Sequence, residues 1–363
     1  MSRPRSAAVL SALFLVGCQV ILVTDKKQCA SNADCVAKGG ANLVCVESVC
    51  RVPADAGLGD AATDGGEPWA CLANPPGKPL EDRSKLLIRR NRYVVYSQDD
   101  CEHKRPVPDM GVKLCSQRDV ACLSPVETAR SDCDGYFNLT AVYVGFEGYL
   151  LLTPPRPQLQ DGATAWSPKV RQCFQELAAK EAAEGKSQER CAVRLGTSGE
   201  AIVGLPPDLM PGIEMLVPPP STSDDPASSI PPSNSTVSFS ENTLRSLTAA
   251  IGLAFDPNAG HLAVSARDCA DRAAAGVAIT LAGGIGPTSQ VFYTDAQGLP
   301  NTNQGETSTE GDTGYLNLDA GPTGLASLSV TATRQSTRER VGVYAALIRS
   351  GHSTIFNMAP LKN

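Results

Sequence analysis

The sequence predicts a mainly β chain: two β-sandwich domains, a small disulfide-rich module ahead of them and a helical insertion between them. Three observations point there. Short runs of β-branched and aromatic residues recur between Gly, Asp and Pro turns. Four cysteines, Cys29, Cys35, Cys45 and Cys50, crowd into 22 residues. One phrase occurs twice: Gly-Tyr-x-Asn-Leu stands at Gly135–Leu139 and again at Gly314–Leu318.

Length and charge set the bounds. A chain of 363 residues that is 42% hydrophobic can build two or three cores. Its net charge is −6, and the longest basic run is the short Arg-Arg-Asn-Arg at Arg89–Arg92. Nucleic acid needs a basic stripe to displace counterions, so it is set aside as a partner.

The first element is an export signal. Arg3 and Arg5 precede an apolar stretch from Ala7 to Val16, too short to span a bilayer as a helix. It ends in Leu15-Val16-Gly17-Cys18. This resembles the lipobox of bacterial lipoproteins. The resemblance implies a signal peptide at 1–17, diacylglycerol on the Cys18 sulfur, cleavage before Cys18 and acylation (palmitate-type) of the new amine. Several acyl chains anchor stably where one binds only marginally. Gln19, rather than Asp, resembles the outer-membrane-sorted kind, so the expected address is the outer membrane, lipid-anchored, on its periplasmic face or the cell surface.

Residues 18–51 then form the cysteine-rich module. It has too few apolar residues for a core, so disulfides must hold it. A structural zinc site would favour closer knuckles than these gaps of five, nine and four residues. The pattern resembles, loosely, the small cysteine-rich modules that follow the lipobox in secreted myxobacterial proteins. Residues 52–68 are dominated by Ala, Asp and Gly and have nothing to bury, which reads as a disordered stalk.

The first sandwich is placed at 69–155, with strands at Tyr93–Tyr96, Gly111–Cys115, Gly135–Val144 and Gly148–Thr153. Asp134-Gly135 is a hairpin-type turn signal. The insertion, 156–236, opens a helix with Ser167 as N-cap and Pro168 at the first helical position. Val170, Cys173, Phe174, Leu177 and Ala178 recur along one face, and Gly185 is a stop. Val217–Thr236 is Pro/Ser-rich and reads as a solvated loop. In the last stretch, 237–363, a helix begins at Ser240, carries Leu244, Leu247 and Ile251 inward and ends near Gly252; strands of the second sandwich follow.

The repeated phrase reads as duplication. Phe137 and Leu139 point to a core in one copy, Leu316 and Leu318 in the other, with Tyr and Asn on the opposite face. Gly135 and Tyr136 are thus expected to superpose on Gly314 and Tyr315. At Asp109–Thr153 and Asp268–Ala332 the chain resembles carboxypeptidase regulatory-like (transthyretin-like) sandwich domains. The resemblance implies a folding or adhesive accessory that is not itself catalytic. The metallopeptidase it often accompanies would need zinc-ligand His and Glu at spacings absent here.

Of 13 cysteines, Cys18 takes the lipid and 12 remain, an even number in an exported chain. Cys115 and Cys122 are predicted to pair, because a segment that doubles back brings its ends to disulfide distance. A continuous strand would hold them more than roughly 20 Å apart. Cys101 with Cys133 and Cys173 with Cys191 are further pairings; Cys71 and Cys269 are left unassigned.

Tests for chemistry return turns and strands. His261, Ser265 and Asp268 lie close in sequence, but strand alternation puts Asp268 on the other face. Asp132-Cys133-Asp134-Gly135 has too few oxygen ligands for a calcium loop, and the glycines of Gly283–Pro287 lack a following Lys-Ser/Thr. No catalytic, cofactor-binding or metal site is predicted. The expected function is a non-catalytic surface lipoprotein presenting sandwich domains to an envelope glycan or protein. The alternatives are an enzyme on envelope polymers using His261 or His352 as base, and a purely structural envelope component.

Overall fold

The computed structural model describes residues 44–46, 49–51, 68–75, 80–86, 89–92, 94–96, 105–141, 143–160, 163–183, 193–194, 201–202, 208–216, 237–296 and 298–360. It divides into two units, 1–67 and 68–363. In the first, Val44–Val46 pairs antiparallel with Val49–Arg51, with Cys45 opposite Cys50. Cys18, Cys29, Cys35, Cys101, Cys191 and His103 fall outside the described residues, as do the signal peptide and residues 52–67.

The second unit is mainly β. Among its strands are β1 (Gly111–Ser116), β2 (Glu127–Arg130), β3 (Tyr136–Leu139), β4 (Gly148–Thr153), β5 (Gly212–Leu216), β6 (Gly260–Ala266), β7 (Val277–Ala282), β8 (Gln290–Thr294), β9 (Pro300–Asn301), β10 (Asp312–Leu318), β11 (Leu325–Arg334), β12 (Arg340–Arg349) and β13 (Ser353–Met358). Its helices are α1 (Pro168–Ala183) and α2 (Glu241–Ala250). Nine strands form one sheet in the order β9-β8-β10-β6-β13-β5-β4-β1-β2. The three central neighbours β6, β13 and β5 run parallel; the other pairings are antiparallel. A separate three-stranded sheet has the order β7-β11-β12.

Strand register shows what each face of the long sheet covers. Leu151, Ile213, Thr354, Leu262 and Tyr315 are successive cross-strand partners, so they share one face. There Leu262, Val264, Tyr315 and Phe356 pack against Val277, Ile279, Val330 and Ile348 of the three-stranded sheet, a two-layer core. Further along the same face, Tyr149, Leu151 and Ile213 meet Leu347 and the Cys115–Cys122 loop. On the other face, Val112, Leu114, Leu150 and Leu152 pack with Phe137 and Leu139 of β3 and with Trp166, Val170 and Phe174 of α1. Leu244 of α2 packs with Met210 and Leu316, with Phe292 of β8 against them.

Both helices start where side-chain chemistry places them. Ser240 accepts the Thr243 N–H through its hydroxyl at 3.0 Å, and Ser167 accepts the Val170 N–H at 3.3 Å, just ahead of Pro168.

Three expectations need correction. The halves predicted as separate sandwiches share one continuous sheet within a single compact unit. The strand that joins them, β5, lies in the stretch read as helix and loop; its five residues carry no clear alternation in sequence. The repeat also fails as duplication. Tyr136–Leu139 pairs with Arg89–Arg92, whereas β10 sits between β8 and β6 in the long sheet. Gly135 (φ 78°) closes a turn by donating its N–H to the Asp132 carbonyl at 3.0 Å. In the second stretch that position belongs to Gly311 (φ 74°), bonded to Ser308, and Gly314 lies inside β10. A Cβ on Gly314 would sit 2.6 Å from the Phe292 ring, so its glycine serves close packing and not a turn. The predicted two-faced pattern also breaks at Asn317, whose positive φ of 55° lets Tyr315 and Leu318 enter the same core.

Candidate functional site: a cation-rich cleft at the sheet edge

At the β2 edge of the long sheet the two-layer cover stops. Lys113 is the cross-strand partner of both Leu151 and Thr128, and Gly111 of both Thr153 and Arg130. These residues therefore continue the face that is apolar at Leu151. Here, however, Lys113, Thr128, Arg130 and Thr153 are exposed. They floor an open cleft of about 890 Å³, walled by Pro154, Pro155, Arg156, Asp109 and Ser167. The sequence produces this by alternation: Val112, Leu114, Leu150 and Leu152 turn to one core, and Lys113 and Thr153 turn to the other face. Pro154-Pro155 follows β4 directly, where a residue without an N–H cannot extend the ladder.

Charge in the cleft is organised by Asp109. Its carboxylate accepts from Arg130 Nη1 at 3.1 Å through Oδ2 and from Lys169 Nζ at 3.0 Å through Oδ1. Arg130 Nη1 also lies 3.3 Å from the Asp109 carbonyl. Asp109 has φ 56°, a left-handed conformation that Asp tolerates better than most residues. Buried Ser131 fixes that loop: its hydroxyl donates to the Val107 carbonyl at 2.6 Å and accepts the Met110 N–H at 2.8 Å. Arg130 and Lys169 stay more than half exposed, so these pairs contribute position far more than stability. Lys113, Arg130 and Arg156 against Asp109 make the lining cationic in a chain of net charge −6.

No protein-family model, curated protein or solved structure matches the chain.

The cysteines resolve differently from some predicted pairings. Cys115 and Cys122 are bonded, with Cα atoms 5.4 Å apart, and the loop they close sits over Tyr149, whose hydroxyl donates to the Asp119 carbonyl at 2.7 Å. Cys133 is bonded to Cys173, not to Cys101, and Cys173 therefore not to Cys191. The reason is tertiary: α1 lies against β3, which brings the turn before β3 onto the helix face that carries Cys173. The two cysteines left unassigned, Cys71 and Cys269, bond across 198 residues. They tie the start of the unit to the turn after β6, with Leu72 in the two-layer core and Arg334 over the Trp69 ring.

The histidines lie elsewhere. His261 is 2% exposed and stacks on Phe255 at 5.2 Å, and burial holds its pKa down at about 4. Ser353 is its neighbour in register across parallel strands, and neither His261 Nε2 nor Ser353 Oγ has a hydrogen-bond partner among the described residues. Both residues are 2% exposed. Ser265 instead donates to Asp312 at 2.5 Å, and Asp268 accepts the Ala270 and Arg272 N–H groups and pairs with the Arg272 guanidinium. His352 contacts the Ser350 carbonyl through Nδ1 and is likewise shifted down by burial. Among the described residues no helix is long and apolar enough to cross a membrane, and no three His, Cys, Asp or Glu residues converge as metal ligands.

Sequence reading missed the cleft because Asp109, Arg130 and Lys169 meet only in the fold. A signal was present, though. Lys113, Thr128, Arg130 and Thr153 alternate with apolar residues on three strands, which marks one wet sheet face.

Proposed function

We propose that this protein is a non-catalytic, lipid-anchored lipoprotein of the outer membrane that presents a sheet surface for binding an envelope glycan or protein. We further infer that its C-terminal half is a transthyretin-like sandwich. The packing of the β7-β11-β12 sheet on the long sheet supports that part. The observation that carries the functional reading is the cleft itself: an open sheet face that carries Lys113, Arg130 and Arg156, with Arg130 held in place by Asp109.

Two further features support the reading. The lipobox and stalk would place the second unit at a distance from a membrane. The chain enters that unit at Cys71, stapled beside the end of β6, and β1 lies four strands along the sheet from β6. At about 4.8 Å per strand the cleft is roughly 19 Å from that staple strand, clear of the point of attachment.

Detergent-phase partitioning tests the anchor. The wild-type chain is expected in the detergent phase and Cys18→Ser in the aqueous phase; a Cys18→Ser chain that still partitions with detergent contradicts the lipoprotein reading. Co-sedimentation with purified envelope fractions tests binding, and a wild-type chain that sediments with none of them contradicts it.

A further inference from the structure

Resting on the binding reading above, we propose that the cleft takes an acidic polysaccharide, a sugar chain bearing carboxylates, along the floor made by β4, β1 and β2.

The size and openness of the cleft suit a segment of polymer better than a single ion, at about 890 Å³. Its chemistry selects the class. Neutral sugars are usually gripped by stacking on aromatic rings, and among the described residues no aromatic side chain lines this cleft. What it offers are cations, the hydroxyls of Thr128 and Thr153, and the half-buried ring of Pro155. Charge-assisted hydrogen bonds from lysine and arginine to carboxylate are the strong contacts available, with hydroxyl donors and acceptors left for sugar hydroxyls.

Lys113 is the key group. It stands exposed in the middle of the floor, and no ion pair engages it among the described residues. Arg130, one strand over, spends Nη1 on Asp109 and keeps the rest of its planar fork. Gly111, opposite both Arg130 and Thr153, adds no side chain to the floor. Asp109 is a positioning residue here: it sets the direction of Arg130.

The test is equilibrium binding of the full mature chain in detergent to three probes of similar length: oligogalacturonate, neutral dextran and poly-glutamate. Oligogalacturonate is expected to bind most tightly and to weaken steeply as salt rises from about 50 to about 500 mM. Lys113→Glu is expected to weaken it about tenfold, with an unchanged thermal midpoint as proof of folding. Equal binding of dextran, or a Lys113→Glu chain that binds oligogalacturonate as the wild type does, overturns the inference while leaving a glycan-binding protein. Tighter binding of poly-glutamate puts an acidic peptide in the cleft and overturns it too. Failure of all three probes overturns this inference; the broader binding reading falls with it only if envelope fractions also fail to co-sediment.

Discussion

Arg130 is tied to Asp109 twice, to the carboxylate at 3.1 Å and to the carbonyl at 3.3 Å, so the side chain and the backbone of one residue aim the same guanidinium. The two ties rest on different physics. The carboxylate contact is an exposed ion pair, and the carbonyl contact depends on the left-handed turn at Asp109.

Two substitutions separate these contributions. Asp109→Asn keeps a residue that accepts positive φ, and is expected to change unfolding free energy by less than about 1 kcal/mol. Asp109→Ala also forces a Cβ residue without local hydrogen bonding into φ 56°, adding roughly 1–2 kcal/mol of cost. Urea denaturation measures both. Equal losses for the two variants would mean that charge, not backbone conformation, dominates at this position.

The disulfides should rank by the chain they close. Replacing Cys71 and Cys269 by serine opens a 198-residue separation, and loop-closure entropy assigns it about 5 kcal/mol; the seven-residue separation of Cys115 and Cys122 is assigned about 2–3 kcal/mol. Chemical denaturation of the two double variants checks the order. Non-reducing peptide mapping should recover Cys71–Cys269, Cys115–Cys122 and Cys133–Cys173, and any of these six linked elsewhere counts against the fold.

Acid should weaken the second unit through His261. The unfolded chain takes up a proton at this ring near pH 6.5, but the folded ring stays neutral down to about 4. Its contribution is therefore intact above pH 6.5 and lost as pH falls through that window, by up to about 3 kcal/mol. His352 shifts in the same sense, and Asp312, raised by burial, works in the opposite one. Stability measured from pH 7 to 4 should thus decline less steeply in His261→Gln than in the wild type. Parallel curves would show that the ring is not neutral in the fold.

Much of this architecture was legible where local chemistry decides it. Ser240 and Ser167 announced two helix starts, and the 5.4 Å Cα separation of Cys115 and Cys122 follows from a chain that must double back. What could not be read was partnership across long separations. β5 is short and unpatterned, yet it joins the two halves, because parallel pairing with β13 depends on residues about 140 positions away. Gly135 and Gly314 share a phrase but not a cause: one supplies a positive φ, the other makes room for Phe292. The cleft was hidden for a similar reason, since its floor comes from three strands and its carboxylate from a loop held by Ser131.

The most direct test of the central claim, that the β4-β1-β2 face is where this protein binds, is hydrogen–deuterium exchange of the full mature chain with and without the envelope fraction that co-sediments with it. Gly111–Lys113, Thr128–Arg130 and Thr153–Arg156 are expected to gain protection together, while peptides of β7, β11 and β12 stay unchanged. Protection confined to that second layer, or to α2, would contradict the assignment of the cleft.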